Sequence, residues 1–258
     1  MSVKWQTVWI TGASSGIGNH FAKLIASEAE YIAVSARREE SLISLSKEYK
    51  NIHAFPLDVS NLINVKNAAK KILNSSPNGL DLVILNAGVS KLFTTDKIEN
   101  RYQDIIDSMN INYFGVLNCI NAVLPDMIKR RKGHIVINGS LAGYRGLPNS
   151  IAYSPTKAAL INLAEILKSE LFAYNIKVTI INPGFVETEA TNVNNFKMPA
   201  IVSVDYAAKK IIKGIKDSKY EVSFPFYFSL VFKFIRIIPN PLYFSLIRRF
   251  VWNRKKDL

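Results

Sequence analysis

The chain of 258 residues has one cysteine, Cys119, and three histidines, His20, His53 and His134. A lone cysteine excludes an intrachain disulfide and fits a reducing compartment; in its apolar helical context Cys119 reads as an inert core thiol. The histidines fall outside the candidate reacting residues identified below, so they read as structural, and no metal is expected. No apolar run reaches the roughly 20 residues that a membrane-spanning helix requires. Residues 1–24 lack a continuous apolar core followed by a cleavage site, so no secretory leader is expected and the location expected is cytoplasmic. Carboxylates are also scarce, 20 against 33 lysines and arginines, for a net charge of +13. From Phe226 to Leu258 seven basic residues stand against Asp257 alone, a net +6 that carries about half of the excess. These charges are interleaved with aliphatic and aromatic residues instead of covering a polar helix, so nucleic acid is not an expected partner.

Apolar residues make up 48% of the chain, ample for a large core. Short Val-, Ile- and Leu-rich segments at Thr7–Thr11, Tyr31–Ala36, Asn51–Pro56, Leu80–Leu85, His134–Asn138 and Ile176–Ile181 predict strands. Helical periodicity runs between them over Gly16–Glu28, Glu39–Tyr49, Asn61–Ser75, Arg101–Arg130 and Ser150–Tyr174. A helix near Asp205–Lys216 and a strand at Tyr220–Phe224 complete the unit. The alternation predicts an α/β fold with a doubly wound parallel sheet, and near-continuous apolar strands fit a sheet covered on both faces. One Rossmann-like domain over 1–225 is expected, followed by an apolar and basic helical appendage over 226–258. Within the appendage, Pro239-Asn240-Pro241 separates two apolar runs and predicts a helical hairpin.

Gly12, Ser14, Ser15, Gly16, Ile17 and Gly18 follow the first strand and open the first helix. Glycines there permit a tight turn and close backbone approach, and free N–H groups at the helix start attract phosphate, so the segment predicts a dinucleotide pyrophosphate site. The second strand ends in Arg37 and Arg38, where a carboxylate would otherwise hold a ribose 2′-hydroxyl. Arg37 is suited to clamp a 2′-phosphate, with Arg38 beside it and Ser14 or Ser15 as hydroxyl donors, which favours NADP(H). The alternative is that both arginines only solvate a loop. Further along, Tyr153 and Lys157 share one helical face, thirteen residues beyond Ser140 at the end of a strand. An ammonium near a phenol favours the phenolate, so Lys157 is expected to lower the Tyr153 pKa while Ser140 holds a substrate oxygen.

Taken in order, Thr11–Gly18, Asn86-Ala87-Gly88, Asn112-Tyr113-Phe114-Gly115, Ser140, Tyr153 with Lys157, and Pro183-Gly184 leading to Thr188 resemble the short-chain dehydrogenase/reductase family over about residues 5–224. The resemblance implies hydride transfer between nicotinamide and a carbonyl or secondary alcohol. It implies Tyr153 as general acid/base, Ser140 as donor to the substrate oxygen, and Lys157 as both pKa modulator and nicotinamide-ribose ligand. Asn112 would help hold a water in a proton relay. Asp58 and Val59 would border the adenine, Asn86, Ala87 and Gly88 the cofactor path, and Val186 and Thr188 the carboxamide, beyond Pro183 and Gly184. Asn86 and Asn112 have a purely structural alternative. A mobile lid is expected near Thr191–Pro199, and dimer or tetramer packing through the long helices.

Two positions depart from the family pattern. Gly139 stands where many relatives have serine and is expected to leave room beside the substrate oxygen, and Pro155-Thr156 replaces a commoner Ala-Ser. The appendage leaves three readings open: peripheral contact of 226–252 with the inner face of a membrane, an apolar wall over the substrate cleft, or a subunit contact. Membrane contact would favour an apolar, lipid-like substrate. Alternative functions are a 3-oxoacyl carrier-protein reductase, which the tail does not match, and a non-catalytic NADP-binding regulator or scaffold, against which the complete set of reacting side chains argues.

Overall fold

The computed structural model describes residues 4–76, 78–192 and 198–252. The chain runs β1 (Trp5–Thr11), α1 (Gly16–Ile25), β2 (Ala29–Ser35), α2 (Glu39–Glu48), β3 (Ile52–Ala54), α3 (Leu62–Asn74), β4 (Leu82–Leu85), α4 (Ile98–Met109), α5 (Gly115–Arg130), β5 (Gly133–Asn138), α6 (Ser154–Glu170), β6 (Ile176–Pro183), α7 (Glu189–Asn192), α8 (Val204–Lys216), β7 (Glu221–Phe224), α9 (Phe226–Ile237) and α10 (Asn240–Trp252). Seven parallel strands form one sheet in the order β3-β2-β1-β4-β5-β6-β7. The winding reverses between β1 and β4, so a crevice opens at their carboxyl ends, where folds of this kind bind ligands.

Neighbouring strand residues feed opposite faces. Trp9, Val83, Leu85, Ile135 and Ile137 join one buried layer with α3, α5 and α6. Val8, Ile10, Leu82, Ile84 and Val136 join the other with α1, α2 and α8. Both sides are covered, which is why the strands read as unbroken apolar runs.

Two expected helices are divided. The segment expected over Arg101–Arg130 holds a π-helical turn, Asn110–Phe114, between α4 and α5. A Cβ at Gly115 would lie 2.6 Å from the Val59 side chain, so only glycine lets the helix approach there. The helix expected from Ser150 begins at Ser154, with Tyr153 at its cap and Pro155 in its first turn. Proline suits that position because the first-turn N–H groups have no intrahelical partner. The helix then ends in a 3₁₀ turn over Leu171–Tyr174.

The two terminal helices follow one another across Ile238 and Pro239; α9 lies against β7 and the core, and the two helices do not pack on each other along their length as the expected hairpin would. Phe228 and Phe232 pack on the core, while Ser229, Ile238 and Tyr243 are buried. Arg145, five residues after Ser140, donates to the Arg236 carbonyl at 3.2 Å and to Asn240 Oδ1 at 2.6 Å, and its guanidinium lies 4.4 Å from the Tyr243 ring centroid. Tyr243 donates to the Gly146 carbonyl at 2.5 Å, and Lys233 pairs with Glu221 of β7 at 2.6 Å.

Candidate active site

The turn after β1 is built for close approach. Gly12 has φ +68°, and a Cβ there would lie 2.7 Å from the Ala87 Cα; a Cβ on Gly18 would lie 2.4 Å from the Gly12 carbonyl oxygen. Ser15 caps α1 in an extended conformation without its side chain covering the helix N–H groups. The open helix start and the glycines at either end of the turn fit a pyrophosphate.

Hydrogen bonds join this turn to the reacting side chains. Thr11 Oγ1 accepts from the Asn86 and Ala87 N–H groups at 3.1 and 3.2 Å, and Asn86 Nδ2 donates to the Gly12 carbonyl at 3.1 Å. Asn138, at the end of β5, donates to Asn86 Oδ1 at 2.9 Å, and its carbonyl accepts from Lys157 Nζ at 2.7 Å. The ends of β1, β4 and β5 and the start of α6 are thereby held as one polar frame. Asn138 acts in it as a linker that motif reading passed over, and Thr11, which opens the glycine-turn motif, as one to which no role was given; the one available signal was their place at the carboxyl ends of buried strands.

Ser140 is buried at the end of the loop after β5, where its Oγ accepts from the Ala142 N–H at 3.1 Å. It also hydrogen-bonds the Tyr153 phenol, which pulls the phenol pKa down, but burial is the larger effect and leaves it above the ordinary value. The expected lowering by Lys157 is therefore corrected. Lys157 Nζ is directed at the Asn138 carbonyl and lies 5.6 Å from the Tyr153 ring centroid, and burial brings its own pKa down to about 8. Asn112, fully buried in the π turn, accepts from the Val89 N–H at 2.8 Å and donates to the Val89 carbonyl at 2.9 Å and to Thr156 Oγ1 at 3.0 Å. Thr156 donates in turn to the Tyr153 carbonyl at 2.7 Å, so this departure from the family pattern ties the asparagine to the tyrosine.

Other predicted residues are placed less directly. Arg37 is exposed and has no carboxylate partner among the described residues. Arg38 instead reaches back over the turn, donating to Ser14 Oγ at 3.2 Å and pairing with Glu189 at 2.9 Å. Asp58 is engaged with Ser60, accepting from its N–H at 2.9 Å. The Val59 and Val186 side chains are buried in the two core layers, leaving their main chains as the parts available to a cofactor. Pro183 is buried, Gly184 is half-buried, and Gly88 is exposed with its Cβ position 3.1 Å from Asn112 Oδ1. A Cβ on Gly16 would lie 3.2 Å from Thr188, so the segment beyond β6 returns to the glycine turn. Of the expected lid, Thr191 folds onto the Val186 carbonyl at 2.7 Å, and residues 193–197 lie outside the described residues.

Gly139 does not open space beside the substrate oxygen. A Cβ there would lie 2.4 Å from Asn182 Oδ1 and 3.1 Å from the Ile181 carbonyl oxygen. Asn182 cannot readily yield, because it is buried and its Nδ2 donates to Glu221 at 2.9 Å. Gly139→Ser is accordingly expected to lower stability by about 1–3 kcal/mol through overpacking, with no gain of a new substrate; chemical denaturation of the two proteins checks this. His134 and Cys119 stay outside the site. His134 Nε2 lies 2.8 Å from Thr179 Oγ1, and burial takes the histidine pKa down to about 4 and the Cys119 thiol up to about 12.

Comparison with known proteins agrees with this construction. Residues 6–198 match the short chain dehydrogenase model. The chain is 35% identical over 252 residues to an uncharacterised oxidoreductase of Myxococcus xanthus, covering 96% of this chain and 98% of that one. It is 31% identical over 207 residues to a 3-ketodihydrosphingosine reductase of Bacteroides thetaiotaomicron, covering 78% of this chain and 72% of the relative. A short chain dehydrogenase of Burkholderia cenocepacia superposes with a TM-score of 0.81 at 23% identity, over 96% of this chain and 99% of its own. With the glycine turn, the Ser140, Tyr153 and Lys157 constellation and a family match over most of its length, the chain belongs to the short-chain dehydrogenase family of oxidoreductases, which bind nicotinamide cofactors.

Proposed function

We propose that the protein is an NADP(H)-dependent reductase of an apolar, lipid-like carbonyl compound, able to run in reverse on the alcohol. The observation that carries this reading is the frame that sets Ser140, Tyr153, Lys157 and Asn112 at one end of the sheet beside the glycine turn. The nicotinamide, when bound, supplies or accepts the hydride. Ser140 donates to the carbonyl oxygen and Tyr153 delivers the proton as charge develops there. A phenol raised by burial stays protonated at neutral pH, which suits a proton donor and so the direction of reduction. Lys157 holds the ribose and, with Asn112 and water, replaces the proton on Tyr153.

The choice of NADP(H) rests on exposed Arg37 just beyond β2, which has no carboxylate partner among the described residues, whereas Arg38 beside it is held by Ser14 and Glu189. Fold neighbours bound to NADP or NADPH, from Burkholderia cenocepacia and Sphingobium yanoikuyae, accord with it. Arg37→Asp is expected to cut the ratio of NADPH to NADH efficiency by roughly tenfold to a hundredfold, since it replaces a fork on the 2′-phosphate by a repelling charge. An unchanged ratio in steady-state assays rejects the assignment. The apolar substrate is supported by an aromatic wall: Phe228 of α9 would lie 3.0 Å from a Cβ on Gly184, and its ring is 6.1 Å from that of Phe185. The likeness to a 3-ketodihydrosphingosine reductase points the same way. Exposed Tyr102, Phe114 and Phe172 on the α4–α6 side support assembly as a homodimer or homotetramer through those helices.

A further inference from the structure

We propose that the outward face of α9 is a docking surface for an anionic lipid bilayer. The helix is held by one side only. Phe228, Ser229 and Phe232 face the sheet domain, whereas Phe226, Tyr227, Leu230, Val231, Phe234 and Ile237 are all exposed. At 100° per residue these six fall within one arc of about 140°, a single apolar face. Nine of the 21 large exposed hydrophobic side chains of the described residues lie in α9 and α10, with Leu242, Phe244 and Leu246 adding to the six. Such a concentration on a folded surface marks a contact with something apolar.

Charge selects the occupant. Residues 226–252 contain no Asp or Glu. Lys233 and Arg236 are met by Glu221 and Glu165 of the sheet domain. Arg248 and Arg249 are exposed and have no carboxylate partner among the described residues. A second copy of this chain would bring the same cationic terminal helices against themselves across a two-fold axis, so like charges oppose that contact. An anionic bilayer offers both what the aromatic face needs and what the arginines need. Among the described residues no helix is long and apolar enough to cross a membrane, so α9 lies in the plane of the interface. The ion pair to Glu221 and the Arg145 contacts keep that plane fixed relative to the site. This inference does not depend on the substrate reading.

The test is flotation of the full chain with vesicles of phosphatidylcholine alone and of phosphatidylcholine with phosphatidylserine at 3:1. Association with the anionic vesicles is expected, weakened by salt and much lower on neutral ones. Val231→Glu with Phe234→Glu, both exposed on the outward face and in neither the catalytic nor the cofactor set, is expected to lower partitioning about tenfold or more by removing two inserted side chains. Arg248→Glu with Arg249→Glu is expected to reduce binding to anionic vesicles only. Melting curves and NADPH fluorescence, unchanged in both variants, separate loss of docking from loss of fold or of the cofactor site. Equal recovery of the wild type with both vesicle types overturns the proposal, as does full binding by the Val231 and Phe234 variant. A dimer in light scattering that this variant dissolves, without vesicle binding by the wild type, assigns the face to a second copy instead.

Discussion

Tyr153→Phe is expected to lower kcat/KM for carbonyl reduction by about 10² to 10⁴, the range that a positioned proton donor contributes. The substitution removes only the hydroxyl from a half-buried ring. The ring remains over the start of α6, and the Lys157 contact to Asn138 does not involve the phenol. NADPH affinity is therefore expected to change by less than about threefold, a difference of roughly 0.6 kcal/mol. The contrast matters more than the loss, because a misfolded site would lose both. Steady-state kinetics on a panel of apolar ketones, with fluorescence titration of NADPH, read the two quantities separately. Full activity in the variant would remove Tyr153 from the chemistry. Retained NADPH binding without turnover of any carbonyl by the wild type would favour a regulator that has kept only the cofactor site.

The second large effect concerns Lys157 and appears in stability as well as rate. Its side chain is buried, and burial brings the pKa from 10.5 to about 8, equivalent to about 3 kcal/mol between the folded and unfolded chains. The folded pKa is the lower one, so the unfolded chain binds more protons between about pH 8 and 10.5. Below pH 8 the ammonium carries its full burial cost. As pH rises through 8 toward 10.5 the cost disappears and this group's contribution to stability rises. Lys157→Met removes the titration. The stability of the wild type minus that of the variant is thus expected to increase by up to about 3 kcal/mol across that window. At pH 7 turnover in the variant is expected to fall by about 10² or more, because the ribose contact and proton replacement are both lost. Denaturation of the two proteins at several pH values measures the slope, and a flat difference would mean that the ammonium is not buried in solution.

What was legible in the sequence follows from how local each signal is. Gly12, Gly16 and Gly18 sit in one turn, and Tyr153 and Lys157 on one helical face, so spacing alone brings them together. The strands were visible because both faces of the sheet are buried. Asn138 bridges to Asn86, 52 residues away, and Asn182 to Glu221, 39 residues away; no local pattern marks such pairs. The same limit explains Gly139, whose apparent vacancy is filled from β6. It also explains Tyr153, where a rule about two neighbouring charges overlooked the larger effect of burial. The π turn at Asn110–Phe114 was hidden inside a helical period that a single extra residue hardly disturbs.

The grip of Arg145 on the two terminal helices ties them to the active-site loop. The loop that carries Tyr144, Arg145 and Gly146 begins at Ser140, and all three side chains or carbonyls are engaged by the tail or by β7 beneath it. Moving α9 or α10 away from the sheet domain would therefore break contacts made by the same loop that begins at Ser140.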